Sequence, residues 1–520
     1  MLKNQLLALS TLFMLVAACS KKDKNGDDAP PAHANVKAVQ DYLLQTDSVK
    51  AFGQAFQAVT FADADVSSGI TVFAPVNSAV VSYDRNARVT EAMVLTSDEV
   101  KDHIVKGIVN KPDLSHGKRL TALSGKELVV TIDGDKIMIN GVAILSISTD
   151  ASKPAIYTVA NVLSKKVAAE DSFTSKAEAQ AFLDTAYTYI GKWHHQQITT
   201  DAVLSDDAVC GNLTALCDLD NFNITGVNGH LISFWYPAYT YITRLNRLIL
   251  HVPALNLPLA ESNNLIAQAK GLRGFLYLQL ATYYGELPLQ TSLTNENLSR
   301  SSLTETYTFI KNDLTEAMGL LPARFTGADH RRISADACKL LLARVAMAQG
   351  DYIKAKQLTS ELIQSNTYSL VAANTIFVSD ENAETIWNIH PGINANYASV
   401  INEGGTKSFI PALRYAEVLL INSEARVNLG ELDANGINQL LARRNQPTVT
   451  FTDQNQAREL VQSTWKTELY REGQRFAKLV KWGRAMEVLA AKGFKEHNKL
   501  MPIPQPLLDT NPNVYQNPGY

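Results

Sequence analysis

The sequence predicts a multidomain chain, a smaller α+β domain followed by a larger, mainly α-helical one. Three observations predict it. The chain has 520 residues, a length at which two or three domains are expected. Between Val36 and Lys166, short alternating runs follow an opening helical stretch. From Asp171 onward helical periodicity dominates.

Composition sets the class. Hydrophobic residues make up 46% and charged residues 19%, as in an ordinary globular protein. The net charge of −3 argues against nucleic acid as the main partner. The 10 histidines form no cluster with metal-ligand spacing, so neither a metal nor a cofactor is expected.

The first residues read as targeting and tether. Lys3 precedes an apolar run from Leu6 to Ala18 that is too short to span a membrane comfortably. It ends in Val16-Ala17-Ala18-Cys19, which resembles a bacterial lipobox. Residues 1–18 would then be a lipoprotein signal peptide and Cys19 the lipid attachment point. The alternative is an ordinary signal peptide that contains a cysteine. Residues 19–35 are charged, Pro-containing and aperiodic, the composition of a flexible tether.

Residues 36–166 form the first predicted domain. VQDYLLQTDSVKAFGQAFQAV has helical patterning, and Ile70 to Pro75 reads as a strand stopped by proline. Thr96 to Glu99 starts a short helix with an N-cap and early acidic residues. Glu127 to Ile132 and Lys136 to Ile139 alternate around Asp133-Gly134-Asp135, a hairpin pattern, and Ile156 to Val159 is a last strand. ITVFAPVNSAV (70–80) and AIYTVANVL (155–163), with LTALSGKELVV and INGVAIL between them, resemble the signature boxes and strands of fasciclin domains. The resemblance implies an α+β fold used in adhesion or extracellular protein contact. Some fasciclin domains carry a Tyr-His pair linked to adhesion. Here Asp102-His103 stands at that place, and His103 reads as a structural residue on the short helix.

Residues 168–520 form the second. Within Asn264 to Gly285, Leu272, Leu276, Leu280 and Tyr283 share one stripe. Ser334 N-caps a helix to Gln349, Gly350-Asp351-Tyr352 breaks it, and a further helix runs to about Ser365. Leu413 to Asn428 repeats the plan: an apolar helix with Arg414, Glu417 and Glu424 on a narrow charged stripe, a stop at Gly430, then a helix carrying Ile437, Leu440 and Leu441. This is the plan of a tetratricopeptide-like hairpin, which must stack on neighbours to bury its apolar face. Loops are expected at Trp193 to Thr200, around Cys210, and at Ile393 to Phe409. Cys338 reads as a buried thiol. Cys210 and Cys217 fit either a disulfide or two free thiols.

Several stretches resemble the SusD/RagB family of outer-membrane nutrient-uptake lipoproteins. They are Trp235, Tyr239, Ile242 and Asn246; KGLRGFLYLQLATYYGELPL (270–289), with Gly274 where alanine is usual; and RYAEVLLINSEA (414–425). Glu468-Leu469, Glu472-Gly473, Arg475, Trp482-Gly483 and the tail MPIPQPLLDTNPNVYQNPGY (501–520) continue the match. Leu441 stands where an arginine is common. The resemblance implies a lipid-anchored, surface-exposed protein of the outer membrane. It would bind a nutrient oligomer, a glycan before a peptide, and deliver it to a TonB-dependent SusC-like barrel. Ligand binding in the family implies exposed aromatic rings in loops, where a ring covers a sugar's apolar face. Candidates are Trp193, Tyr236, Trp387 and Tyr397. For Trp387, in a strand-like stretch, and Tyr236, beside Trp235, a core role is also open.

The charged residues offer an enzymatic alternative. Glycosidase carboxylates flank the scissile bond ~5–10 Å apart. Glu417 and Glu424 are separated by a rise of ~10.5 Å along one helical stripe and point the same way. Neither a G-x-S-x-G nor an H-E-x-x-H motif occurs. No catalytic residue is therefore expected. Arg414 is expected to pair with Glu417 within the helix, Glu424 to serve a neighbouring segment, and Glu468, Glu472 and Arg475 to pair on one helix face. The competing reading is a fasciclin-led adhesion or matrix-binding surface protein.

Overall fold

The strand at Ile70–Pro75 (β1) is buried along all six residues, because it lies inside a sheet with helices on one face and a second apolar layer on the other. In a computed structural model the described residues are 34–82, 95–133, 136–147, 154–163, 173–211, 214–293, 298–389, 398–401 and 407–520. The signal segment, Cys19, nearly all of the tether and Tyr397 lie outside them. So do the hairpin residues 134–135 and most of the loop expected at Ile393 to Phe409.

The first domain's sheet comprises β1, β2 (Ile104–Lys106), β3 (Arg119–Thr121), β4 (Glu127–Asp133), β5 (Lys136–Ile139), β6 (Val142–Ile147) and β7 (Ala155–Val159). Their spatial order is β2-β1-β7-β6-β5-β4-β3. β1 and β7 pair in parallel, Val72 opposite Ile156, and every other neighbouring pair is antiparallel. Side-chain alternation divides the core. Ile70, Val72 and Ile156 face Leu43, Phe52 and Phe56 of the helices Ala34–Gln45 and Lys50–Phe56. Phe73 and Tyr157 face the opposite way and stack at 5.2 Å among Val130 and Ile139. Thr96 caps its helix with a complete capping box. His103 follows that helix and is fully buried. Its Nδ1 lies 2.8 Å from the Glu99 carbonyl, and its Nε2 accepts the Leu163 N–H at 2.8 Å. Burial pulls its pKa down to about 4, so the ring is a neutral structural bridge.

The second domain is built from packed helices. Lys176–Leu204, Gly229–His251 and Leu259–Tyr284 form its first layer, followed by Leu303–Leu320. Two helical hairpins follow, Ala335–Gln349 with Tyr352–Gln364 and Tyr415–Asn428 with Asn435–Arg443. Gly350 ends the first helix at φ 77°, a conformation side chains resist, and Asp351 caps the next by accepting the Lys354 N–H. The proline-rich tail forms only a short helix, Gln505–Thr510, and Ile503 anchors it by full burial. Tyr515 of the tail stays exposed and reaches Glu286 and the Arg300 guanidinium.

Two expectations are corrected here. Trp193 to Thr200 is not a loop but the buried C-terminal half of the helix Lys176–Leu204. Its polar residues satisfy each other and neighbouring helices: Gln197 donates to the Tyr283 hydroxyl at 2.8 Å, and Gln196 donates to Ser233 at 2.7 Å. Arg414 does not pair with Glu417. It sits in extended backbone just before the helix (φ −143°, ψ 161°), so its side chain leaves the helical stripe.

Candidate functional site

The Arg414 guanidinium instead meets three carboxylates, Glu384 (2.5 Å), Glu468 (2.9 Å) and Glu472 (2.8 Å), all buried. Arg443 also pairs with Glu384 and Glu468, and Arg444 reaches Glu468 at 3.0 Å. Three arginines thus balance three glutamates, and Arg443 and Arg444 supply positive charge within one turn of Leu441. Glu468, Glu472 and Arg475 do not share a helix face. The helix ends at Glu468, Glu472 turns in to Arg414, and Arg475 binds Asp206 at 2.7 Å.

The other carboxylates are equally committed. Glu417 is held by Arg344 at 2.5 and 2.7 Å. Glu424 accepts from Lys478 and from the Trp482 indole, both at 2.8 Å. Burial raises the Asp201 pKa to about 7, a shift also seen in catalytic acids. Asp201 has no exposed surface, however, and accepts the Phe476 N–H at 3.1 Å and the Tyr283 hydroxyl at 3.1 Å. Among the described residues no three His, Cys, Asp or Glu side chains converge as a metal site. Cys210 and Cys217 are joined in a disulfide, and Cys338 is a buried thiol.

Two cavities among the described residues have the room and the lining for a small ligand. One, of ≈ 280 Å³, lies among helices and is lined by Leu278, Met347, Ile421, Trp465, Glu417 and Glu424. Its indole is covered: Lys478 Nζ stands 3.8 Å from the Trp465 ring centre. The other is a cleft of ≈ 500 Å³ along the outer side of the helix Gly229–His251. Trp235 and Tyr239 form its floor, their rings 5.0 Å apart, with Tyr239 donating to the Pro288 carbonyl at 3.0 Å. The chain at Pro288–Gln290 makes one wall. It is pinned by Asn246, which donates to the Gln290 carbonyl and is itself held by Arg273 at 2.7 Å. The tail makes the other wall through Leu507, Thr510 and Asn511, and Asn511 donates to the Leu298 carbonyl at 3.0 Å.

Tyr236 stands at this cleft with 38% of its surface exposed, joined by Thr240, Thr243 and Arg244 of the same helix. An accessible ring beside hydroxyl, amide and guanidinium groups can cover an apolar sugar face and bond its hydroxyls.

Of the four candidate aromatics, only Tyr236 is placed at a cleft. Trp193 is 2% exposed, stacks on Phe234 at 4.6 Å and donates its indole N–H to the Phe234 carbonyl. Trp387 is fully buried on a short strand, edge-on to Phe275. Neither ring has a face to offer a ligand, so both are core residues, and Tyr397 lies outside the described residues. The sequence reading missed Thr240, Arg244, Gln290 and Asn511. The first two lie four and eight residues beyond Tyr236, one face of one helix, and that spacing was a usable signal.

Comparison with known proteins places both domains. Residues 47–165 match the fasciclin domain model. Residues 162–347 match the model described as starch-binding associating with outer membrane, and residues 342–499 match the SusD family. The SusD-like protein P2 of Formosa agariphila is 27% identical over 203 residues, 37% of this chain and 40% of that protein. The chain thus matches well under two thirds of that relative's length. A laminarin-binding SusD-like protein superposes with TM-score 0.58 at 20% identity, covering 67% of this chain and all of that one. A SusD superfamily protein from Bacteroides vulgatus gives 0.60 at 19%, and surface glycan-binding protein A from Bacteroides fluxus gives 0.57 at 20%, each with the same coverage. At these identities the likeness establishes the fold. The chain is an N-terminal fasciclin domain followed by a mainly helical SusD-like domain.

Proposed function

We propose that this protein is a glycan-capturing lipoprotein of the outer membrane that binds an oligosaccharide in the Tyr236 cleft without cleaving it. The observation that carries the reading is the cleft itself, an exposed tyrosine over an aromatic floor with polar groups on both walls. The names of two relatives of the same fold, one laminarin-binding and one surface glycan-binding, point to the same ligand class. The engagement of Glu417 and Glu424 in ion pairs supports binding without turnover. Cys19 would carry the lipid, residues 36–166 would form the fasciclin unit, residues 168–520 the SusD-like unit, and a TonB-dependent SusC-like barrel would receive the glycan. The fasciclin unit would act as a spacer or protein contact. Adhesion through Asp102-His103 is disfavoured by their burial.

A glycan array followed by calorimetry on hits, with reducing ends assayed in parallel, tests this. Tyr236→Ala should weaken the best glycan by about tenfold, the scale of one lost aromatic contact. Unchanged affinity would remove the cleft from the proposal, and release of reducing ends would remove binding without turnover.

A further inference from the structure

Arg244 has an unusual place. Its guanidinium lies over the Phe182 ring at 4.1 Å and near the Tyr189 ring at 6.0 Å. Its Nε–H is shut off from solvent and meets no acceptor among the described residues. No carboxylate pairs with it among the described residues, whereas Arg273, Arg344 and Arg414 are each clamped by one or more acids. It is also the only charged side chain lining the cleft among those residues.

Its surroundings are cationic and aromatic. Arg247 lies over Phe173 and Phe182 at 5.0 and 4.9 Å, and Lys192 lies 5.9 Å from Tyr189. Tyr189 stacks on Tyr241 at 5.8 Å with the ring planes 9° apart, and Tyr189 is 42% exposed. The acids nearby serve other groups. Glu178 caps its own helix at Thr174, with Arg247 near it, and Asp509 lies toward Tyr236. In a chain of net charge −3, this stretch of surface runs against the average.

Aromatic stacking orients a guanidinium while leaving its donor edge free, and that edge matches the paired oxygens of a carboxylate or sulfate. We infer that the Tyr236 cleft selects glycans bearing anionic groups, uronate carboxylates or sulfate esters, and that Arg244 reads the charge. The inference rests on the glycan-binding reading above and specifies its ligand class. In it Tyr236 covers the sugar ring, and Arg244 makes a paired, charge-assisted contact with the substituent.

The test uses the full chain and three sets of oligosaccharides matched in length: neutral β-glucan, polyuronate and sulfated galactan. Binding is measured by calorimetry for the native protein, Arg244→Gln and Tyr236→Ala. One anionic set should bind more tightly than the neutral set by on the order of tenfold, and Arg244→Gln should abolish that margin by weakening the anionic ligands more than the neutral ones. The polyuronate and sulfated arms tell the two substituents apart. Tyr236→Ala should weaken all ligands that bind. Tight binding of neutral glycan alone, lost in Tyr236→Ala, would overturn the charge inference and leave glycan capture standing. Equal losses for neutral and anionic ligands in Arg244→Gln would also overturn it. No binding to any set would overturn both readings.

Discussion

Arg414 and Glu472 form a two-pronged ion pair shut off from water, Nε to Oε2 at 2.8 Å and Nη2 to Oε1 at 2.9 Å. The pair closes a cluster in which positive and negative groups are matched in number. Glu472→Gln removes one charge and leaves a buried guanidinium short of a partner. Stability should fall by about 3–5 kcal/mol, the range for a broken buried pair. Chemical denaturation measures it, and glycan affinity of the folded fraction should hold, because the cluster lines neither wall of the cleft.

Trp193→Ala separates core from site in the same way. The substitution deletes an indole stacked between helices and removes its hydrogen bond to the Phe234 carbonyl. A loss of about 3–5 kcal/mol is expected, as for other buried tryptophans. Calorimetric affinity at a temperature where the variant is folded should match the native protein. A selective loss of binding with normal stability would return Trp193 to the list of ligand residues.

Gly274→Ala sets two effects against each other. Within a helix the change should gain about 1 kcal/mol in propensity. A Cβ there would stand 2.9 Å from Leu314 Cγ, a branched carbon in the packed interior. Such overpacking costs about 1–3 kcal/mol, so the net change is destabilising. The denaturation midpoint should drop for Gly274→Ala and recover in part when Leu314→Val is added.

His103 makes the first domain sensitive to acid. Its folded pKa is depressed from 6.5 to about 4, so the unfolded chain takes up the proton first as pH falls. Its contribution is complete above pH 6.5 and is lost as pH drops toward 4, a change of roughly 3 kcal/mol. Protection factors for amide exchange in β1 and β7, which remove the intrinsic pH dependence of exchange, should fall over that interval, and His103→Gln should flatten the dependence. A pH-independent protection factor in the native protein would contradict it.

Both domain types were legible because their signals are local: the alternating run at Ile70–Pro75, the Thr96 cap, and Gly350 and Gly430 after apolar helices. What misled is also specific. HHQQITTD in the helix Lys176–Leu204 looks solvated, yet tertiary hydrogen bonds to Tyr283, Ser233 and His230 allow it to be buried. Arg414 obeys helical spacing on paper, but an extended backbone one residue before the helix sends it elsewhere. The cleft was only partly visible. Its helix face follows from the spacing of Tyr236, Thr240 and Arg244, whereas the walls come from segments far along the chain, which no local pattern joins.

The parallel pairing of β1 with β7 has a kinetic side. These central neighbours are separated by roughly 80 residues, and closing a flexible loop of that length costs about 4 kcal/mol of chain entropy before any sheet contact repays it. The first domain should therefore fold late and all at once, since neither half of the sheet has a middle without the other. A protein stalled on export before Ala155 emerges would present β1 as a long unpaired apolar edge, the form of this chain most exposed to aggregation.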